Sequence, residues 1–139
     1  VVGASDERSN FGGTIYRALR DHGGDIVAVH PTAETVAGDR CHPDLASVPD
    51  SVGGVLVVVN QAQALAVVQA CVDRSVAHVW LFKGLGGPGA VSEEAVRLCE
   101  EHGIDVIAGA CPLMFLPPVG MVHRIHRRLR RLNGSVSAR

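Results

Sequence analysis

The sequence predicts an α/β domain: an open, doubly wound, mostly parallel sheet of five strands between helices, in three layers. Three observations lead there. Short apolar runs alternate with helical patterns along the whole chain. The run Val55 to Val59 carries no polar residue, as in a central strand covered on both faces. Successive strand–helix–strand units cross over right-handed, which lays them side by side in one open sheet.

Val1-Val2 reads as the end of a first strand running into the small-residue turn Gly3-Ala4-Ser5. Because the chain starts on Val at a strand end, residues before Val1 are expected. Gly12-Gly13 opens a helix over Thr14 to His22, with Ile15, Ala18 and Leu19 on one face and Gly23-Gly24 as its stop. Ile26 to Val29 is the second strand. The turn-rich stretch from His30-Pro31 to His42-Pro43-Asp44 reads as a loop in place of the second helix. Val55 to Val59 is the third strand, and Gln61 to Arg74 a helix turning Leu65, Val68 and Val72 inward. His78 to Phe82 is the fourth strand. Ser92 caps the next helix, with Glu93 and Glu94 in the first turn where the dipole favours negative charge; Gly103 ends it. Ile104 to Ala108 is the fifth strand. After Pro117-Pro118 a basic helix is expected over about 119–132, with Val122, Ile125, Leu129 and Leu132 at helical spacing.

The 139 residues make one domain, long enough to bury roughly two-thirds of the unfolded chain's surface. No apolar run approaches the ~20 residues that cross a bilayer, and no basic segment precedes an apolar one as in a signal peptide, so a cytoplasmic protein without membrane contact is expected. Cys41, Cys71, Cys99 and Cys111 form no C-x-x-C pair, and the seven histidines no H-E-x-x-H pattern, which argues against a disulfide framework or a metal site. The net charge of −1 hides an asymmetry. All 14 acidic residues lie between Asp6 and Asp105, whereas six of the 13 basic ones follow Asp105. The basic helix holds no aromatic residue, so nucleic acid is not the expected partner; it packs on the sheet, or meets a protein partner or a second copy of the chain.

In such folds a ligand crosses the carboxyl ends of the strands. Gly3-Ala4-Ser5 beside a Gly12-Gly13 helix start forms a phosphate cradle: backbone N–H groups and the positive end of the helix dipole, with small residues that let phosphates approach. A G-x-G-x-x-G fingerprint is missing, and the second strand ends in His30-Pro31 without the carboxylate that would hold a free ribose. No P-loop motif occurs either. A ribose bearing its own phosphate fits, which leaves NADP, with hydride-transfer or redox-sensing roles, and coenzyme A both open.

Gly3-Ala4-Ser5, the delayed Gly12-Gly13 helix start, Val29-His30-Pro31, the run Gly38 to Leu45, His78-Val79-Trp80-Leu81 and the late Cys111 stand in an order that resembles stand-alone coenzyme A-binding domain proteins. These are similar to the nucleotide-binding domain of the succinyl-CoA synthetase α-subunit. The resemblance covers nearly the whole chain and implies a Rossmann-like domain binding CoA or an acyl-CoA across the strand ends. It assigns Gly3, Ser5, Gly12 and Gly13 to the pyrophosphate, His30 and Pro31 to the adenosine, and Val59 and Asn60 to the pantetheine arm, with Ala4 and Phe11 also among the cofactor-binding residues. The family's usual Asn-Pro-basic sequence is His30-Pro31-Thr32 here, so His30 or Arg40 is left to meet the ribose phosphate. Phe82-Lys83-Gly84 likewise stands where Gln-x-Gly is usual. The synthetase's phosphohistidine belongs to a second domain, so ligase activity is not expected of these residues alone, and no catalytic residue is assigned. Lys83 is either ligand-facing or a solvated surface lysine. Cys111 either meets the thiol end of the CoA arm or is a small buried hydrophobe.

Overall fold

The computed structural model describes residues 1–116; the basic helix expected at about 119–132 lies outside the described residues. Helix α1 (Phe11–Asp21) starts at Asn10, whose side-chain oxygen accepts the Gly13 amide at 2.6 Å. Strand β1 (Ala28–Val29) follows, then β2 (Thr35–Val36) and β3 (Asp39–His42). Next come β4 (Gly54–Val57), α2 (Gln61–Asp73), β5 (His78–Phe82), α3 (Glu93–Glu101) and β6 (Asp105–Ala110). A 3-10 turn, Pro112–Met114, closes the described chain.

The strands make two three-stranded sheets, ordered β1-β3-β2 and β4-β5-β6, in place of the expected single sheet of five. All pairs are parallel except β2 with β3. Two local facts account for the difference. The expected first strand is reduced to Val2, which bridges in parallel to Val29 on one side and Val57 on the other, and so joins β1 to β4. The expected loop after His30 contains the β2–β3 hairpin, whose two-residue turn puts Ala37 at φ 53° and Gly38 at φ 84°, the left-handed pair that suits the twist of a tight hairpin. Chain order reverses at Val2, which makes this the switch point of the fold.

Side chains alternate across β4, β5 and β6 with the period of two that strands impose. Val55, Val57, Val79 and Leu81 face α2 and α3, where they pack with Ala64, Val68, Cys71, Ala95 and Cys99. Phe82, with partly buried Leu56, Trp80 and Ile107, faces the side of α1 and the 3-10 turn, meeting Ile15, Ala110, Cys111 and Met114. A register shift between Leu81 and Phe82 sets Phe82 opposite Ala110, passing over Gly109 at φ 88°. Contrary to the expected inward stripe of α2, Leu65 is exposed; Ala64, Val68 and Cys71 are the residues it buries. Arg74, just past α2, donates to the carbonyls of Leu45, Ala46, Val48 and Asp50 at 2.8–3.2 Å and so holds the segment leading into β4.

Candidate functional site

The carboxyl ends of the parallel strands gather the turn after Val2, His30-Pro31 after β1, Val58-Val59-Asn60 after β4, Lys83 after β5 and Cys111 after β6. The turn at Gly3 is locked into this edge. The Gly3 amide donates to the Val29 carbonyl at 2.8 Å and the Val58 amide to the Val2 carbonyl at 2.9 Å. Gly3 sits at φ 96°, and a Cβ there would overlap the Val58 carbonyl and touch Val59 Cγ1 at 3.1 Å. Only glycine suits this position on both counts.

The start of α1 presses onto the same turn. A Cβ on Gly12 would overlap the Gly3 carbonyl oxygen and lie 2.9 Å from the Ala4 nitrogen; one on Gly13 would overlap the Ser5 carbonyl oxygen. The two glycines are therefore needed for helix and turn to meet. The sequence suggested them for ligand access; what the structure shows is this packing against the chain's own backbone. Asn10, which sequence reasoning passed over, fastens the junction: its Oδ1 accepts both the Gly13 amide and the Ser5 amide, the latter at 3.1 Å. An Asn two residues before a Gly-Gly helix start was the available signal. The amides of Phe11 and Gly12, first in the helix, have no intrahelical acceptor by helix geometry and mark its positive end. Ser5 completes the group. It is 4 % exposed, and its Oγ is the one buried side-chain polar atom without a hydrogen-bond partner among the described residues.

Two carboxylates set the orientation of α1. Asp6 accepts the Ala37 amide at 3.0 Å and pairs with Arg17 at 3.0 Å. Asp39, at the start of β3, accepts the Tyr16 hydroxyl at 2.9 Å and Arg20 Nη1 at 3.2 Å. The hydrogen bond from Tyr16, then that from Arg20, holds the Asp39 carboxyl below the usual range. Burial, then the bond to Asp39, pushes the Tyr16 phenol up to about 12.

The sequence model of the CoA binding domain family matches residues 1–117. The chain belongs to this CoA-binding domain family. It is 29 % identical over 126 residues to acetate–CoA ligase [ADP-forming] I of Archaeoglobus fulgidus, a match covering 87 % of this chain but only 18 % of that enzyme. A conserved hypothetical protein of Pyrococcus furiosus superposes with a TM-score of 0.70 at 28 % identity, over 80 % of this chain and 91 % of that one. The dinucleotide-forming acetyl-coenzyme A synthetase 1 of Ca. Korarchaeum cryptofilum, in its apo form, gives a TM-score of 0.68 at 30 % identity, covering 78 % of this chain and 25 % of that one. The chain thus spans under a fifth of the curated ligase, and matches a small protein of its own size along most of its length.

Within this CoA-binding domain the other residues singled out from sequence fall into two groups. Phe11 is half exposed, with its ring 5.7 Å from that of Phe82, so it stands at the mouth of the turn; Lys83 follows Phe82 and is half-buried. His30 lies at the end of β1 with Nδ1 accepting the Thr32 and Ala33 amides, both at 3.2 Å, which places its ring hydrogen on Nε2. Pro31 beside it is exposed. The remaining three are committed differently. Asn60 caps α2, accepting the Gln63 amide at 3.0 Å. Arg40 precedes the Cys41–Ala28 pair, which sets it level with Val27, about 10 Å below His30 at the rise of a strand. Cys111 is 2 % exposed among Ile15, Phe82 and Met114.

A cavity of about 670 Å³ opens at the opposite, amino ends of the strands, bounded by Val27, Gly54, His78 and Trp80. Its lining lacks the glycine turn, the helix start and the orphan hydroxyl of the carboxyl edge. Among the described residues no group of three His, Cys, Asp or Glu side chains suits a metal ion, and no helix is long and apolar enough to cross a membrane.

Proposed function

We propose that this domain binds coenzyme A or an acyl-CoA at the carboxyl edge, with the diphosphate against Gly3-Ala4-Ser5 and the start of α1. The observation that carries this reading is the Ser5 hydroxyl: a donor buried without a partner costs on the order of 1–3 kcal/mol, and an anion oxygen at the helix start relieves that cost. The amides of Phe11 and Gly12 supply further donors to the same anion. His30 Nε2–H faces the adenosine ribose, Lys83 adds the positive charge that a multiply charged ligand requires, and Val59 borders the thiol-bearing arm. Family membership and the likeness to an acetate–CoA ligase support the ligand class. No catalytic role is assigned to any residue of the edge; the role proposed is binding.

Isothermal titration calorimetry with CoA, acetyl-CoA, NAD and NADP tests this directly. Saturable binding of CoA or acetyl-CoA is expected, weakened about tenfold in Ser5→Ala by loss of one charge-assisted hydrogen bond. Absence of heat at millimolar CoA overturns the reading. Selective binding of NADP moves the function to a nicotinamide cofactor at the same edge.

A further inference from the structure

Strands β1 and β3 stop on the same dipeptide: β1 runs into His30-Pro31, and β3 ends on His42 before Pro43. The two strands are parallel with Val29 opposite His42, and the His30 amide donates to the His42 carbonyl at 2.9 Å, so the histidines stand side by side. Both prolines are exposed and neither has an N–H, which leaves side chains to donate at these strand ends. Cys41 faces α1 with Ala28 and Tyr16, so by the period of two His42 faces the other side, with Val29. His42 is 7 % exposed, and its ring has no hydrogen-bond partner among the described residues. Neither ring nitrogen is closed off from solvent, since among those residues only the Ser5 hydroxyl is both buried and unpartnered. The ring therefore buries its carbons and opens its nitrogens to the surface. It takes no part in the cavity at the amino ends, so the opening is at the carboxyl edge.

We infer that His42, together with His30, binds a phosphate monoester carried on the ribose of the ligand. This rests on the carboxyl edge being a nucleotide site, and it names the residue that selects among nucleotides there. Position argues for it. The strand ends follow in the order Val2, β1, β3 at ~4.8 Å spacing, so His42 stands about 10 Å from the glycine turn with His30 between them. A ligand with its diphosphate on the turn brings its ribose to the next strand end and the ribose substituents to the one beyond. The donors agree as well. Arg40, level with Val27, lies about 10 Å below the edge and leaves the imidazoles to do this work. His30 offers Nε2–H, because its Nδ1 accepts the Thr32 and Ala33 amides. His42 carries an N–H in either tautomer, with no acceptor among the described residues to claim it. An N–H given to a phosphate oxygen is a charge-assisted hydrogen bond, stronger than a neutral one. Two nucleotides share this chemistry. CoA and NADP both carry a phosphate monoester on ribose, and dephospho-CoA and NAD are the same molecules without it.

Isothermal titration calorimetry of the full chain with these four ligands is the test. In whichever pair binds, the member with the ribose phosphate is expected to bind about tenfold more tightly, or better. His42→Phe keeps a ring in the buried position; it is expected to bring that ratio down to about threefold or less and to leave the affinity for the member without the phosphate unchanged. A purely structural role for His42 lowers both affinities together and preserves the ratio. Should His42→Phe lack a cooperative urea transition, His42→Gln, which retains an N–H donor, is expected to lower the ratio by about threefold. Discrimination of NADP from NAD with no binding of CoA bears the inference out while overturning the CoA reading of the edge. A ratio near one in the wild type, or one that the His42 variants leave unchanged, overturns the inference alone. Absence of heat with all four ligands overturns both.

Discussion

Replacing Gly13 by alanine opposes two effects of opposite sign, and the structure decides between them. On helix propensity alone, a glycine-to-alanine change inside a helix stabilises by about 0.5–1 kcal/mol. At Gly13, however, the new Cβ overlaps the Ser5 carbonyl oxygen and falls 3.1 Å from its carbon, whereas ordinary contact begins near 3.4 Å. The obstacle is backbone on both sides, so the turn and helix must part. Overpacking of this kind costs about 1–3 kcal/mol. Parting them also strains the two bonds to Asn10 Oδ1, a helix cap worth about 1 kcal/mol. The balance is a destabilisation of about 1–3 kcal/mol, seen as a melting point lower by roughly 3–10 °C for a domain of this size. Urea denaturation followed by circular dichroism measures it. Gly53→Ala is the control, because Gly53 has open space around its Cβ position and a backbone that alanine adopts freely; it is expected to stay within about 0.5 kcal/mol of wild type. A Gly13→Ala protein as stable as wild type, or more so, refutes the close packing of turn and helix.

Three further outcomes follow from the contacts described. Arg74→Ala removes charge-assisted bonds to four carbonyls and is expected to cost about 2–3 kcal/mol by urea midpoint, with Arg74→Lys recovering only part, since an ammonium cannot span the four acceptors. Asp39 has its carboxyl held down in the folded state, so its share of stability is complete above the ordinary carboxylate range and is lost as pH falls through the lowered value; Asp39→Asn is expected to flatten the urea midpoint's decline between about pH 5 and 2, and an unchanged slope contradicts the Tyr16–Arg20 contacts. Burial pushes the Cys71 thiol up to about 12 and the Cys99 thiol up to about 11, and all four cysteines are buried. A disulfide reagent at pH 8 is therefore expected to leave the native chain unlabelled over minutes and to titrate four thiols once urea is added.

Strong local signals carried much of the fold into view from the sequence. The strand His78–Phe82 and the cap Ser92 stand in the structure as side-chain chemistry and apolar runs require. The β2–β3 hairpin was hidden because strands of two and four residues hold too little periodicity to register, although Gly38 at a hairpin turn was its trace. Helix α2 is apolar around most of its circumference, so spacing alone cannot choose between Leu65 and Ala64 as the inward residue; contact with the sheet makes that choice. At the carboxyl edge the glycines were legible as residues that permit close approach, but what approaches them most closely is the chain's own backbone, a partner distant enough in sequence to leave no pattern. Asn10, Asp6 and Arg74 escaped for the same reason: each acts on main-chain groups that any sequence would offer.

Asp6 and Asp39 each tie helix α1 to the hairpin, one at the turn residue Ala37 and one at the first residue of β3. These ties hold Tyr16 and Arg17 at mid-helix and Arg20 in the last turn, while Asn10 fastens the helix start to the turn at Ser5. Disordered phosphate loops must become ordered as they bind, and that ordering subtracts from affinity. On the proposed reading the mould is cast during folding, so the edge would meet an anion already shaped, and damage to the distant hairpin would be felt there as a loosened grip.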